Sequence, residues 1–271
     1  MPAASAAVPR PAAAYGAHMR QEDRLGMILE RLSQRSSVGV DELAEELGVS
    51  PSSVRRDLQL LETQQLLTRT HGGAVASGVL YELPMRYRGG QRQPAKQAIA
   101  RVAATLIGPD VVSVGLNGGS TTTEVARALA NRRGLRVVTN AVNIAAELAV
   151  RPEIDLVVSG GRARSESYEL VGPVAEATLA DVNLDVAVLG VDGISTSRGI
   201  TTHDDLEARV NRALLAGAER VVVVADATKV GKRAFAGIAR LSEVHDLVTD
   251  AADDDPELRA IADAGVTVHT V

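Results

Sequence analysis

The residues whose types and spacing could do chemistry in this 271-residue chain fall at a series of Gly-rich and polar breaks in its second half. Asn117-Gly118-Gly119-Ser120-Thr121-Thr122-Thr123 follows a branched apolar run and leads straight into a helical pattern. Glycines let the backbone approach an anion, while N–H groups and hydroxyls supply donors at the positive end of a helix. The loop is neither a Walker A loop nor GxGxxG and suits a small phosphomonoester better than a nucleotide. Further breaks fall at Thr139-Asn140, Gly160-Gly161, Asp192-Gly193 and Asp226 to Lys229, with Thr202-His203 to Glu207 between the last two. Lys229 could set a cation beside a phosphate or a sugar hydroxyl. Asp192, Glu207 and Asp226 could accept hydrogen bonds from hydroxyls or pair with an amino group. Each has a plainer alternative: an ordinary turn, a helix cap, a surface ion pair or, for His203, a satisfied loop histidine. No second histidine lies near enough to propose a metal. The candidate ligand-binding residues are Asn117, Gly118, Gly119, Ser120, Thr121, Thr122, Asn140, Gly160, Gly161, Asp192, His203, Glu207, Asp226 and Lys229. No catalytic residue, metal or cofactor is expected.

A second group lies near the N-terminus. Ser50, Ser52, Ser53, Arg55, Arg56 and Gln59 follow a glycine turn at Gly48 and share the outer face of a helical pattern. Short hydroxyls at a helix start approach phosphates or base edges closely. Arginines one turn further in span to phosphate or to guanine O6/N7. Asp57 is expected to pair with an arginine and hold it in place. Arg69 and His71, beside Gly72-Gly73, would contact sugar-phosphate. Taken singly, Arg55-Arg56 is an ordinary solvated helix face; the ordered set of turn, N-cap, arginine pair and Gly-Gly hairpin points to duplex DNA instead.

These groups need elements to position them. Leu25, Ile28, Leu29 and Leu32 have the spacing of one helical face, and Val40 to Leu47 repeats it. Gly48 ends that helix, Ser50 caps the next, and Pro51 opens it. The third helix, Pro51 to Glu62, carries Val54, Leu58 and Leu61 inward. Leu66 to Val75 reads as two strands around a Gly-Gly turn, which completes a winged helix-turn-helix. From Lys96 onward helices alternate with strands at 111–115, 136–140, 155–159, 185–189 and 220–224, with shorter ones at 247–249 and 266–268. Such branched apolar runs are strands buried on both faces, so the fold class is α/β with a Rossmann-like parallel sheet. Ligands then bind outside the carboxyl ends of the strands, where the candidate residues converge. The expected boundaries are a disordered tail over residues 1–19, a DNA-binding domain over 20–76, a connector over 77–95 and a sensor domain over 96–271. Tyr81, Leu83 and Met85 of the connector are expected to pack on one of the domains.

Composition narrows the classes. The chain is 45% hydrophobic and 23% charged with 2% aromatics, enough for a core of Ala, Val, Leu and Ile and too apolar for general disorder. No cysteine is present, which excludes disulfides, thiolate zinc sites and cysteine nucleophiles. No apolar run approaches the length of a membrane span. The Ala/Pro-rich stretch from Met1 to Ala17 lacks a signal-peptide core, and Met19 offers a second start. The cytoplasm is the expected compartment, with nucleoid association when DNA is bound. Lys and Arg number 11 against 10 Asp and Glu from Arg20 to Lys96, but 17 against 24 from Gln97 to Val271. An acidic body joined to a near-neutral head indicates separate tasks. Only Lys96, Lys229 and Lys232 among the 29 basic residues are lysines, so a lysine in a loop stands out.

Leu43-Ala44…Leu47-Gly48-Val49-Ser50…Val54-Arg55-Arg56-Asp57-Leu58 with Arg69-Thr70-His71-Gly72-Gly73 resembles the winged helix-turn-helix of the DeoR family of bacterial repressors. That family commonly has Thr where this chain has Ser53, and the hydroxyl is kept. The second half resembles the family's sensor domain, similar in fold to ribose-5-phosphate isomerase and CoA-transferase subunits. Leu170-Val171-Gly172-Pro173, Gly190-Val191-Asp192-Gly193-Ile194 and Gly199-Ile200-Thr201-Thr202-His203…Glu207-Ala208 are similar to the branch that governs amino-sugar or N-acetylgalactosamine catabolism. Asp205 matches an acidic position of that branch. The resemblance implies a repressor of a sugar operon, double-stranded operator DNA as partner, and a phosphorylated sugar as effector.

One recognition helix supplies limited affinity, so a homo-oligomer, dimer or tetramer, is expected to read repeated half-sites. The competing reading is a sugar-phosphate isomerase-like enzyme with an accessory helix-turn-helix, in which carboxylates and Lys229 would move protons. A protein-binding adaptor is a third reading, disfavoured by Arg69 and His71.

Overall fold

A computed structural model describes residues 19–76 and 84–271. The tail over residues 1–17 and the connector residues Tyr81 and Leu83 lie outside the described residues. The chain divides into two compact units, Met1–Leu83 and Pro84–Val271.

The first unit runs α1 (Gln21–Arg35), β1 (Ser37–Gly39), α2 (Val40–Leu47), α3 (Pro51–Thr63), β2 (Leu67–Thr70) and β3 (Gly73–Ala76). Its core is the stripe read from helical spacing: Leu25, Ile28, Leu29 and Leu32 of α1 meet Leu43 and Leu47 of α2 and Val54, Leu58 and Leu61 of α3, all buried. Each fully buried Leu or Ile contributes roughly 1.5–3 kcal/mol of transfer free energy, so this small unit depends on nearly every one. Gly48 takes the left-handed conformation that ends α2 (φ 64°), and Ser50 caps α3 by accepting from Ser53 N at 3.2 Å. β1 is an addition to the two strands expected. It pairs with β3, giving the order β1-β3-β2, and is too short for any alternation to register in sequence. Its presence explains Gly73: a Cβ there would lie 1.9 Å from the Val38 carbonyl oxygen, whereas one at Gly72 would meet open space.

The second unit begins with α4 (Met85–Arg88) and α5 (Gln93–Leu106). Residues 84–95 are therefore part of a packed unit and not an unpatterned connector, because Met85 and Tyr87 are buried and α5 starts at Gln93, earlier than Lys96. The chain continues β4 (Ser113–Leu116), α6 (Ser120–Leu129), β5 (Leu135–Thr139), α7 (Val142–Leu148), β6 (Ile154–Val158), β7 (Arg162–Ala163), β8 (Leu170–Val171) and α8 (Pro173–Ala180). It closes with β9 (Leu184–Gly190), β10 (Gly193–Ser195), β11 (Gly199–Thr202), α9 (Asp205–Ala216), β12 (Ala218–Val224), β13 (Ala236–Ala239), β14 (Asp246–Thr249), α10 (Pro256–Asp263) and β15 (Thr267–Thr270).

The seven expected strands form one sheet in the order β15-β14-β12-β9-β4-β5-β6, with every pairing parallel. Alternation along each strand sends side chains to two separate cores. Val186, Val188, Val222 and Val224 pack with Ile99, Val125 and Ile144 under α5, α6 and α7. Ala187, Leu189, Val221 and Val223 pack with Leu179, Leu214 and Ile261 under α8, α9 and α10. That two-sided burial is what the near-continuous apolar runs encoded. The small antiparallel sheet β10-β11-β13 and the β7-β8 hairpin were not foreseen, since their strands are short and their sequences carry no period.

Gly73→Ala is expected to destabilise the N-terminal unit by about 2 kcal/mol through overpacking against β1, while Gly72→Ala leaves stability nearly unchanged. Denaturant melts of the full chain read by tertiary-structure probes in that unit check this; equal midpoints for the two variants would contradict it.

Candidate functional site

The outer face of α3 is built by what lies beneath it. Asp57 is buried at 1% exposure and receives Arg24 Nε at 2.8 Å, Arg24 Nη2 at 3.2 Å and Gln21 Nε2 at 3.0 Å. The arginine that Asp57 holds is therefore Arg24 of α1, not a neighbour on α3, and the pair locks the two helices in register. Ser50 is committed to capping, its hydroxyl also 2.8 Å from that of Ser52 and 3.0 Å from that of Ser53. Arg56 folds back along the helix, with Nη2 3.3 Å from Ser53 Oγ. Arg55 and Gln59 are exposed, and neither side chain has a hydrogen-bond partner among the described residues. Arg69 and His71 are exposed on the β2–β3 hairpin, where Arg69 N donates to Glu62 Oε1 at 3.1 Å. Arg55, Gln59 and Arg56 thus present a donor surface on one helix, with the hairpin residues in the same unit.

In the second unit the parallel strands place all their carboxyl ends along one edge. The order places β4 beside β9 at the point where the chain departs to opposite faces, into α6 from one strand and toward α9 from the other. Such a switch point opens a crevice. Asn117, just after β4, spans it: Nδ2 donates to Gly190 O at 2.9 Å and Oδ1 accepts from Gly190 N at 2.8 Å. Both ends of its amide are thereby committed, which makes Asn117 a brace of the crevice and not a free donor. Gly118 is required for a different reason from the one read in sequence: a Cβ there would lie 2.4 Å from Glu169 Cγ. Gly119 has φ 140° and precedes α6, where the Thr122 and Thr123 hydroxyls donate back to its carbonyl at 3.0 and 2.7 Å. Thr121 and Thr122 are buried, so Gly119 and Ser120 are the partly open positions of the loop.

Around Asp192, after β9, charges converge. Its carboxylate meets Lys229 Nζ at 3.3 Å, Arg88 Nη1 at 3.5 Å, His203 Nε2 at 3.8 Å and Thr202 Oγ1 at 3.1 Å. Thr202 Oγ1 also lies 3.0 Å from Glu207 Oε2, and Arg164 Nη1 donates to Glu207 Oε1 at 2.9 Å. Burial pushes the Asp192 carboxyl up, but Arg88, Lys229, His203 and the Thr202 hydroxyl outweigh it and hold the group below the ordinary carboxylate range. Glu169 goes the other way. Burial, then the charges of Glu207 and Asp192, drive it well above the ordinary value against the Asn140 hydrogen bond (Nδ2 to Oε2, 3.0 Å) and the Gly118 N–H. Two carboxyls with opposed shifts therefore share one crevice rim, one fixed as an anion and one inclined to keep its proton.

Not every expected residue sits there. Gly160 and Gly161 follow the edge strand β6, with φ 72° and 115°, and turn the chain into β7; Gly161 is crowded by Val171 O, 2.8 Å from where a Cβ would stand. They lie two strand spacings from β4, about 10 Å, and serve the turn. Asp226 caps the short turn at Ala227–Lys229 by accepting from Thr228 N at 2.9 Å. Asn140 is fully buried, its Nδ2 donating to Glu169 Oε2 and its Oδ1 without a partner among the described residues. Glu169, Arg164 and Arg88 were missed. Glu169 and Arg164 arrive on the β7–β8 excursion, which bonds across the edge through Leu170 N to Asn140 O at 2.6 Å. Only the Leu170-Val171-Gly172-Pro173 run marked that excursion in sequence.

Residues 24–77 match the DeoR-like helix-turn-helix domain, and residues 91–251 match the DeoR C terminal sensor domain. The chain belongs to the DeoR family. It is a DNA-binding transcriptional regulator with a sensor domain. It is 33% identical over 233 residues to the glycerol-3-phosphate regulon repressor of Escherichia coli (strain K12), covering 86% of this chain and 92% of that protein. It is 32% identical over 252 residues to a putative aga operon transcriptional repressor of Escherichia coli O157:H7, covering 92% and 93%. Among solved structures it overlaps ribose 5-phosphate isomerase A of Methanocaldococcus jannaschii at TM-score 0.38 and 20% identity, over 51% of this chain and 55% of that one. The relatives are named as repressors, which favours the regulator over the isomerase among the readings of the sequence. No helix among the described residues is long and apolar enough to cross a membrane.

The raised Glu169 group makes a pH prediction. Above the ordinary carboxylate value of 4.5 the unfolded chain has lost a proton that the folded chain still holds, so stability falls as pH rises through that window. Glu169→Gln removes this loss. Its thermal stability should match wild type near pH 5 and exceed it near pH 8 by about 1 kcal/mol or more; parallel pH profiles would refute the assignment.

Proposed function

We propose that this regulator represses a sugar or amino-sugar catabolic operon, gripping operator duplex through α3 and the β2–β3 hairpin and responding to a phosphorylated sugar at the carboxyl edge of its parallel sheet. The observation that carries the first half is Arg55 and Gln59, exposed and unbonded on a helix pinned from below by Asp57–Arg24. A rigid helix with unpaired donors suits base-edge contact, while Ser52, Ser53, Arg56, Arg69 and His71 suit backbone contact. Ser50 acts through its cap. A homo-oligomer, dimer or tetramer, would multiply a modest single-helix affinity by engaging repeated half-sites together. Work on DNA implies the cytoplasm, at the nucleoid when bound.

For the second half, Gly119 and Ser120 at the start of α6 offer N–H groups to a phosphate. Asp192, His203, Lys229, Glu207 and Glu169 offer acceptors and donors to hydroxyls or to an amino group. Asn117, Asn140, Gly118, Thr121, Thr122 and Asp226 hold that rim in place, and Gly160 and Gly161 shape its outer turn. The reader occupies residues 20–76, and the sensor begins at Pro84.

Gel-shift titration on the chain's own promoter region tests the reader. Arg55→Ala should weaken binding by about 10- to 100-fold, the equivalent of one lost bidentate arginine contact, with an unchanged melting profile; wild-type affinity would remove Arg55 from the interface. Thermal-shift titration with ribose 5-phosphate, glucosamine 6-phosphate, glycerol 3-phosphate and inorganic phosphate tests the sensor. A saturating ligand should raise stability by about 2–3 kcal/mol, and Gly119→Val should abolish the shift. No shift with any of the four would count against the sensor site.

A further inference from the structure

Asp192, Glu207 and Glu169 are neighbouring acids at the strand ends, and their charges are not matched alike. Asp192 after β9 is met by Lys229, Arg88 and His203. Glu207 at the start of α9 is met by Arg164, which Asp204 also holds at 3.2 Å. Glu169, just before β8, is 3% exposed and has no ion pair among the described residues. Its carboxyl rests against the loop between β4 and α6: a Cβ at Gly118 would lie 2.7 Å from Glu169 Oε1, and the Gly118 N–H donates to the carboxyl. The side chain thus takes one N–H of the loop for itself, directly beside Gly119 and Ser120. Asn140 Nδ2 donates to Glu169 Oε2 at 3.0 Å, while Asn140 Oδ1 is buried with no partner among the described residues. A buried acceptor left unbonded is costly, and a carboxyl O–H is the donor it lacks. Burial first, then the charges of Glu207 and Asp192, favour the protonated form of Glu169, against the Asn140 and Gly118 hydrogen bonds.

We propose that Glu169 is the proton-binding partner of the phosphate loop: a phosphoryl dianion seated at Gly119 and Ser120 brings one proton from solvent onto this carboxyl, so that the site takes up its anion and a proton together. The inference rests on the phosphate reading given above and concerns what governs that same site. Without the proton, an ionised Glu169 and the phosphoryl group would stand one residue apart along the loop, and like charges beside a buried group repel strongly. Lys229, His203 and Arg88 are turned to Asp192, and Arg164 to Glu207. None of them forms an ion pair with Glu169, so protonation is the relief left to it. The proton forms an O–H bond on the carboxyl, and a half-turn of the Asn140 amide presents Oδ1 to accept from it. The same step gives the orphaned Asn140 oxygen its partner.

Calorimetric titration of the full chain tests this from about pH 6 to about pH 9, with whichever of the four probes named above gives the largest thermal shift. Wild-type affinity should fall as pH rises, approaching about tenfold per pH unit, the mark of one proton bound with each ligand. Glu169→Gln carries no charge and should give a flatter profile, with binding at least about tenfold tighter than wild type at the alkaline end. Titration of the ligand, of His203 or of Lys96, which burial pushes down to about 8, is common to both proteins and drops out of the comparison. A residue that merely shaped the loop would lower affinity at every pH when replaced. Should Glu169→Gln melt early, difference infrared spectra of wild type decide alone: probe binding should add the C=O stretch of a protonated carboxyl, which no lysine or histidine supplies. Parallel pH profiles for the two proteins, or no carboxyl band, overturn the proposal and leave the phosphate site standing. If wild type binds none of the four probes, the phosphate reading itself fails and the proton linkage falls with it.

Discussion

The sensor edge depends on a buried anion that cannot be left alone. Asp192 sits at the mouth of the crevice, where desolvation would drive it neutral without Lys229, Arg88, His203 and the Thr202 hydroxyl around it. Removing any one of these cations leaves Asp192 less compensated against its desolvation, since all converge on the same carboxylate. This mutual dependence fixes the positions of three otherwise separate segments: Arg88 before α5, Thr202 and His203 at the end of β11, and Lys229 in the loop after β12.

The same logic of opposed demands explains Glu169. A carboxyl buried beside Asp192 and Glu207 is costly when ionised, and Asn140 and the Gly118 N–H offset only part of that cost. Gly118 has no side chain because Glu169 fills the space one would take. The crevice rim then holds one carboxyl pushed below the ordinary carboxylate range and another pushed above it. A phosphate at the start of α6 and hydroxyls toward Asp192 and Glu169 would use the two ends of one small molecule.

The reader unit solves a different problem, rigidity in a small body. Its helices share a compact apolar core, and Asp57 adds a directional clamp to it through Arg24 and Gln21. Burying a charge is worthwhile only when it is fully paired, and here the pairing orients α3 so that Arg55 and Gln59 point outward. The hairpin is steadied by β1, which closes against Gly73.

By itself the sequence determined the local and repetitive features. Helical stripes, the cap at Ser50, the stop at Gly48, the Gly-Gly hairpin and the seven buried strands all follow from near-neighbour spacing, and the family followed from the ordered motifs. The convergence of Asn117, Asp192 and Lys229 was also legible, because parallel strands must end along one edge. What each of those residues does there was not. Asn117 proved a brace to Gly190, Asp226 a local cap, Thr122 a donor to the Gly119 carbonyl, and Gly160 and Gly161 an outer turn, since the partner each group takes is decided by the folded backbone and not by residue type. Glu169, Arg164 and Arg88 were invisible for the same reason: they sit on aperiodic segments, and only the folded chain carries them across the sheet edge to charges between 23 (Glu169 to Asp192) and 104 (Arg88 to Asp192) residues away. Periodicity encodes which face is buried; the meeting of charges depends on tertiary closure.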